Sequence, residues 1–263
     1  MKHKARLLAD RFKTLLARWP QVECISLNEA ADSDTLDPYF ALILDVYHSG
    51  EIPPPDKRRE VYGPDVRFFE SSGQGSKDRF LIGSLPVRFE FKPLEKIEEL
   101  VSIAGSRQDS LWLIKDAGTY GYYRLVQGEL LFSRTGWIGR IRERLLALDD
   151  VFWNQMRDAS QSKMEHYLSD LGAALMHDDD FHYLISSALF IKSACLTLFC
   201  INRRFEPSHR GYYRQAVELP VVPESFRAQL ETFIKEGPEL TMERKYALAQ
   251  LLAKGIIALG IQA

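Results

Sequence analysis

The spacing of hydrophobic and polar positions changes once along the chain, near Gly136. Before that point, short apolar runs separated by polar loops predict strands; after it, apolar residues recur at helical spacing. We therefore predict an α+β protein, with a mixed sheet domain over residues 1–135 and an all-helical bundle domain over residues 136–263. A cleft between the two domains is the expected place for a ligand.

The first half is predicted to begin with an amphipathic helix that ends at Pro20. Gln127-Gly128 is predicted as the tight turn of a hairpin, because strand-like runs flank it on both sides. The predicted elements of this half are helices over 4–18 and 96–104, and strands over 22–27, 40–47, 80–82, 87–91, 122–126 and 129–132.

The second half is predicted to be helical throughout, with breaks at Pro, Gly and Asp clusters. Residues 184–201 are apolar enough to be mistaken for a membrane span. However, Lys192 near the middle would cost roughly 2.5–3.5 kcal/mol in a bilayer, so a buried core helix is the better interpretation. The predicted helical segments are 138–157, 160–176, 181–204, 224–235 and 240–258.

Composition places the chain among soluble globular proteins, since 46% of its 263 residues are hydrophobic and 27% are charged. A formal net charge of -2 gives no electrostatic argument for a nucleic-acid or membrane partner. The three cysteines cannot all pair and lie in apolar runs, which indicates buried free thiols in a reducing compartment. The N-terminus lacks the apolar core of a signal peptide, so we predict a cytoplasmic protein.

Two strand-like runs each carry one carboxylate among apolar neighbours, namely Asp45 in the 40–47 run and Glu90 in the 87–91 run. A carboxylate on a half-buried strand is costly unless it has a partner. Two carboxylates on neighbouring strands also repel each other unless a cation lies between them. This combination is typical of a Mg²⁺ site that handles phosphates.

The element order and two motifs resemble the nucleotidyltransferase superfamily, in particular a divergent branch of the bacterial small-molecule, aminoglycoside-type enzymes. Asp37-Pro38-Tyr39 is similar to the start of the family's Asp-Pro-Tyr-Ser-Asp-hydrophobic-Asp segment. Asn202-Arg203-Arg204-Phe205-Glu206-Pro207 is similar to a segment that follows an apolar helix in relatives with a helical domain. The resemblance implies Mg²⁺-dependent transfer of a nucleoside monophosphate from a nucleoside triphosphate to a small polar acceptor.

The chain departs from the family pattern where the metal-binding acids belong. In this register the family's two acids fall on Ala41 and Ile43, and Asp45 lies two residues beyond on the same strand face. Glu90 lies where the family places its late-strand acid, and the family's Gly-Ser position falls near Asn28. The resemblance thus implies Asp45 and Glu90 as catalytic residues and metal ligands, and Asn28 as a nucleotide-binding residue.

Each acid also has a plainer interpretation. Asp45 and Glu90 can be sheet-edge acids that form ion pairs with a neighbouring basic residue such as Arg88 or Lys92. A second group of acids, in the loop that precedes the 40–47 run, can replace the lost ligands by a shift in register or can be ordinary turn residues. These loop acids are Asp32, Asp34 and Asp37.

Basic and polar residues elsewhere are candidate nucleotide contacts. The loop from Ser71 and Ser72 to Lys77 can hold phosphate through backbone N–H groups, with Lys77 and Arg79 as charge partners, or it can be an exposed loop. Asn202 and Arg203 can face the cleft, or they can complete a helix C-terminus where cations offset the helix dipole.

The predicted cofactor is Mg²⁺, with a nucleoside triphosphate as substrate and a small molecule as acceptor. No nucleic acid and no membrane are expected as partners, and a homodimer is left open. Because two metal-binding acids are replaced, we expect the protein to retain nucleotide binding even where catalysis is weak or lost. The alternative is a catalytically degenerate nucleotidyltransferase-fold protein that binds a nucleotide or a protein partner.

Overall fold

The computed structural model describes residues 3–29, 42–106, 108–235, 237 and 239–262. The chain divides into two compact units: a first unit of Met1–Arg107 with Arg124–Ala147, and a second unit of Gln108–Tyr123 with Leu148–Ala263. The predicted division lay at residue 135. In the structure the first unit continues to residue 147, and a short earlier segment belongs to the second unit.

The first unit contains one six-stranded mixed sheet, so the predicted α+β architecture is confirmed. The strand order is β3-β4-β5-β2-β1-β6. Among the described strands, only the β2–β5 pair is parallel, and the other four pairs are antiparallel. The strands are β1 (Val22–Glu29), β2 (Leu42–His48), β3 (Val66–Ser71), β4 (Lys77–Ile82), β5 (Leu85–Pro93) and β6 (Glu129–Ser133).

The helices divide between the two units, and helix α5 runs across the division. Helices α1, α2, α3 and α6 belong to the first unit, α4 and α7 to α11 belong to the second, and α5 belongs to the first unit from Arg124 onward. The helices are α1 (His3–Leu16), α2 (Pro55–Tyr62), α3 (Leu94–Gly105), α4 (Trp112–Ala117), α5 (Tyr120–Gln127), α6 (Trp137–Leu146), α7 (Asp150–Met176), α8 (Asp180–Ile201), α9 (Tyr212–Val217), α10 (Phe226–Ile234) and α11 (Met242–Gln262).

The sheet of the first unit has one apolar and one charged face, because successive side chains of a strand point to opposite sides. On the apolar face, Phe12 of α1 contacts Phe89 of β5, with ring centroids 5.0 Å apart. On the other face, Asp45 of β2 is paired in register with Glu90 of β5. The two acids therefore lie side by side on adjacent strands, as the sequence predicted.

The predicted strand over 122–126 is wrong, because these residues lie in helix α5. The helix is visible in its backbone hydrogen bonds, such as that from Tyr123 N to Thr119 O at 3.1 Å. Tyr122 and Leu125 are both buried, and their spacing of three residues suits one helix face. Burial of this face overrides the strand preference of a Tyr-rich run. The predicted strand after it is present as β6.

The second unit is helical: beyond Ser133 no strand occurs in the described residues, which confirms that prediction. Residues 150–176 form one continuous helix where two segments were predicted. The N-cap residues Asp149 and Asp179 accept hydrogen bonds from the backbone N–H groups of Phe152 and His182. These caps begin helices α7 and α8, the longest pair in the unit.

Helix α8 is long and apolar enough to cross a membrane by length and composition, and half of its most apolar window is buried in the protein. Its side chains Phe190, Leu198 and Phe199 belong to the core of the second unit. This placement agrees with the predicted core helix. The thiols of Cys195 and Cys200 are free and buried there, and burial raises the pKa of each to about 12.

Candidate functional site

Asp45 and Glu90 are buried charges in the middle of the sheet. Asp45 has no exposed surface and Glu90 is 7% exposed. Their side chains share the charged face of the sheet because the parallel register of β2 and β5 places them directly beside each other. Such a pair requires counter-charges within hydrogen-bond distance.

Arg124 of helix α5 supplies the first counter-charge. Its Nη2 atom donates to Asp45 Oδ1 at 2.5 Å and its Nη1 atom donates to Glu90 Oε2 at 2.8 Å. The guanidinium group is planar and always charged, so its two nitrogens can bridge two carboxylates at once. Arg124 is only 6% exposed, which makes this bridge an interior feature of the first unit.

The remaining carboxylate oxygens also have donors or positive charge close by. Lys92 Nζ lies 2.8 Å from Asp45 Oδ2, and Asn28 Nδ2 donates to the same oxygen at 2.7 Å. Arg88 Nε lies 3.2 Å from Glu90 Oε1. We call Asp45, Glu90, Arg124, Lys92 and Asn28 the bridged carboxylate cluster. The alternative interpretation, in which Arg88 and Lys92 pair with the two acids, agrees with these contacts.

Gly128 makes the close approach of helix α5 to the cluster possible. A Cβ atom at this residue would lie 2.7 Å from Arg124 O and 2.7 Å from Asn28 Oδ1. Both distances are too short for a side chain. The turn between α5 and β6 therefore requires glycine, and it sets Arg124 over the carboxylates.

The charges of the cluster act on the ionisation of Glu90. Burial opposes its ionisation and alone would raise its pKa, but the positive charges of Arg124, Lys92, Arg88 and Lys77 outweigh it. The net effect lowers the pKa of Glu90 below its ordinary value of 4.5. Glu90 is thus held as a carboxylate at neutral pH.

Because the pKa of Glu90 is lowered, the stability of the fold depends on pH in the acidic range. Because the folded pKa is below the unfolded one, the ionised Glu90 stabilises the fold fully above pH 4.5, and the contribution disappears as pH falls through the folded pKa. We expect Glu90→Gln to flatten the acid limb of the free energy of unfolding, measured by urea denaturation between pH 3 and 7. An unchanged acid limb in Glu90→Gln would show that Glu90 carries no such linkage.

The contacts of the cluster do not fit a Mg²⁺ site. Mg²⁺ needs carboxylate oxygens in a nearly octahedral arrangement, whereas the oxygens of Asp45 and Glu90 are bonded to protein cations and an amide. Within the described ranges, no group of three or more His, Cys, Asp or Glu side chains could hold a metal ion. The loop acids Asp32, Asp34 and Asp37 lie outside the described residues.

Further basic residues share the charged face of the sheet. Lys77 on β4 pairs across the strands with Glu90, and Arg79 pairs with Arg88. Lys77 and Arg79 are exposed, and Arg88 and Lys92 are partly exposed. We call Lys77, Arg79, Arg88 and Lys92 the basic sheet face. The predicted roles of Lys77 and Arg79 as charge partners for phosphate stay a prediction that this placement allows.

The loop between Ser71 and Lys77 is a tight connection between β3 and β4. Ser72 accepts from Gly75 N at 2.7 Å and donates to Lys77 O at 2.8 Å through its backbone. Arg58 of helix α2 supports the loop from beneath, with Nη2 3.0 Å from both Ser71 Oγ and Gly75 O. Ser71 and Ser72 therefore have bonds within the hairpin, and their predicted role as phosphate contacts stays a prediction.

Asn202 completes the C-terminus of helix α8. Its side-chain amide donates to Leu198 O at 2.8 Å and to Val221 O at 2.7 Å, and its Oδ1 accepts from Val221 N at 2.8 Å. Arg203 has a positive φ of 51° and forms an exposed ion pair with Asp150. The contacts of Asn202 and the left-handed backbone of Arg203 match the helix-terminus interpretation, and the predicted nucleotide contact of these residues stays a prediction.

Comparison with solved structures gives several matches. The structure is similar to a crystal structure described as a nucleotidyltransferase-like protein from Exiguobacterium sibiricum, with a TM-score of 0.48 and 12% sequence identity. The likeness covers 99% of this chain and 75% of that one. No protein-family profile and no curated protein matches the chain.

Proposed function

We propose that the protein is a catalytically degenerate nucleotidyltransferase-fold protein that binds the phosphates of a nucleotide on the basic sheet face without Mg²⁺. The observation that carries this proposal is the bridge from Arg124 to Asp45 and Glu90. A protein cation occupies the space between the two acids for which the sequence resemblance implied a metal ion.

Metal-dependent transfer needs carboxylate oxygens that are free to hold Mg²⁺ ions on the triphosphate. Asp45 and Glu90 are instead bonded to Arg124, and breaking such buried pairs is unfavourable by several kcal/mol. The two residues therefore serve to hold the sheet and helix α5 together. This role replaces the catalytic and metal-binding roles that the resemblance implied for them.

Phosphate binding remains available to the same face. Lys77, Arg79, Arg88 and Lys92 lie on this face and Arg124 lies above it. The acids beside them are Asp45, Glu90 and Glu70, the cross-strand neighbour of Arg79. An excess of positive charge on an exposed sheet face attracts an anion, and Arg guanidinium groups form paired hydrogen bonds with phosphate oxygens. Lys77 and Arg79 are the most exposed members and are expected to contact the phosphates.

The test is calorimetric titration with each of the four common nucleoside triphosphates, in excess chelator and in Mg²⁺. We expect binding in chelator, and we expect Lys77→Ser/Arg79→Ser to lower the affinity about tenfold or more. The matched control is Lys96→Ser/Arg59→Ser, which removes one exposed Lys and one exposed Arg from helices of the same unit. If the control lowers affinity equally, or if binding requires Mg²⁺, the proposed site is wrong.

A second measurement addresses catalysis. Labelled triphosphate and Mg²⁺ are incubated with a panel of aminoglycosides and other polyols, using the parent protein, Asp45→Asn and Glu90→Gln. We expect no labelled acceptor from any of the three. Transfer by the parent that both variants lose would establish Asp45 and Glu90 as catalytic residues and overturn the degenerate assignment.

A further inference from the structure

The second unit contains a cavity of about 400 Å³ that plays no part in the function proposed above. All of its lining residues belong to the second unit: the end of α4, the start of α5, helices α7 and α8, and the segment 206–209. Its volume lies within the range of small-molecule pockets, which is about 300–1,000 Å³.

Three lysines line the cavity: Lys115, Lys163 and Lys192. Lys163 Nζ donates to Lys115 O at 3.0 Å. In the described part of the chain, the side chains of Lys115 and Lys192 form no hydrogen bond or ion pair. Glu206 is the single acid among the described lining residues. Lys115 and Lys192, beside the single carboxylate of Glu206, leave an excess of positive charge in the described wall, which favours an anion there.

The position of Lys192 supports this reading. It is exposed and lies near the middle of α8, a strongly apolar helix. Its helix neighbours Leu189, Ser193 and Leu196 line the same cavity. This side of α8 therefore opens onto the cavity, and it carries an exposed lysine that an anion bound there can contact.

The rest of the cavity wall provides two aromatic rings and a buried hydrogen-bond acceptor. Tyr120 and Tyr167 line the cavity, and Tyr167 is four residues from Lys163 on the same face of α7. Glu206 is 4% exposed, and its backbone N–H donates to Thr119 Oγ1 at 2.8 Å. Its carboxylate lies against Gly118, where a Cβ would be only 2.6 Å from Oε2. Glycine thus leaves room for this acceptor.

We propose that this cavity, the lysine cavity, binds a small phosphorylated compound that carries a planar ring. Lys115 and Lys192 contact the phosphate, and Tyr120 and Tyr167 contact the ring, since aromatic faces pack well on planar groups. The cavity closes on one side at Glu206, which accepts a hydrogen bond from a hydroxyl or amino group of the ligand. A ring and a single phosphate match the mixture of aromatic and cationic lining.

The probe is phenyl phosphate, titrated by calorimetry beside phenol and inorganic phosphate. We expect phenyl phosphate to bind more tightly than either fragment, because it alone uses both parts of the wall. Lys115→Ser/Lys192→Ser removes two charged donors that make no contact in the described structure, so the fold should persist. Its affinity for phenyl phosphate should fall about tenfold or more.

A matched control locates the effect. Lys254→Ser removes an exposed lysine of the same unit from α11. This variant should not change the affinity for phenyl phosphate. The proposal would be overturned if Lys115→Ser/Lys192→Ser bound phenyl phosphate as tightly as the parent protein does. It would also be overturned if the parent did not bind phenyl phosphate at millimolar concentration.

A measurement on the parent alone guards against misfolded variants. Brief acetylation by acetic anhydride, followed by mass spectrometry of the peptides, reports the accessibility of each lysine. Phenyl phosphate should protect Lys115 and Lys192 and leave Lys254 unprotected. Equal modification of Lys115 and Lys192 with and without phenyl phosphate would contradict the assignment.

Discussion

Replacing Arg124 by Met is expected to lower the free energy of unfolding by about 3–5 kcal/mol, because it leaves two buried carboxylates without their shared cation. Met keeps much of the length of the side chain, so lost charge dominates over lost volume. Adding Asp45→Asn and Glu90→Gln should recover part of the loss, since the uncompensated charges are then removed. Urea denaturation followed by circular dichroism measures each step.

The control for this prediction is Arg144→Met, which removes an arginine that also forms an ion pair, with Glu98, but is largely exposed. Its effect should be below about 1 kcal/mol. We further expect Mg²⁺ to raise the melting temperature of Arg124→Met and to leave that of the parent unchanged, because only the variant has free carboxylates for it. If Arg124→Met and Arg144→Met lost similar amounts of unfolding free energy, the proposed importance of the Arg124 bridge would be contradicted.

Replacing Arg58 by Met should have an effect of the same size, about 3–5 kcal/mol. Arg58 is 1% exposed and forms paired hydrogen bonds with the fully buried Asp78, at 2.8 Å and 2.7 Å. The variant leaves Asp78 with Tyr62 as its remaining side-chain donor in the described structure. It also removes the support of the β3–β4 loop, so amide hydrogen exchange should accelerate across residues 71–77.

Arg59→Met provides a matched control for this second prediction, because Arg59 is the next residue of the same helix and is exposed. We expect little change in stability and unaltered exchange in the loop. If Arg58→Met behaves as Arg59→Met does, the buried ion pair contributes nothing measurable. If stability falls but exchange in the loop is unchanged, the loop is held by its own backbone bonds.

The strands that carry the candidate site could be predicted because their apolar residues alternate or run together over short stretches. This pattern placed Asp45 and Glu90 on neighbouring strands, and the structure confirms that they lie side by side. The identity of their partner could not be predicted in the same way. Two carboxylates require a cation, but the sequence does not say whether that cation is Mg²⁺ or a residue far along the chain.

Arg124 was missed because its surroundings favour the wrong element. It follows Tyr122 and Tyr123, and aromatic residues are frequent in strands, so the run predicted a hairpin in which Arg124 had no reason to be near Asp45. Arg58 was missed for a different reason: it lies in a charged segment that reads as exposed. Only tertiary structure shows that one arginine of this segment, and not its neighbour Arg59, is buried.

The bridge from Arg124 also has a consequence for the order in which the chain is made. Asp45 and Glu90 precede Arg124 by 79 and 34 residues, and β6 comes later still. At a synthesis rate of about 5–20 residues per second, Glu90 waits roughly 2–7 s for its guanidinium partner. During that interval the cations available to Asp45 and Glu90 are Lys92 and Arg88. The two carboxylates of the nascent chain are therefore not yet fully compensated by positive charge. The ribosome must complete residue 124 before this sheet can reach its final state.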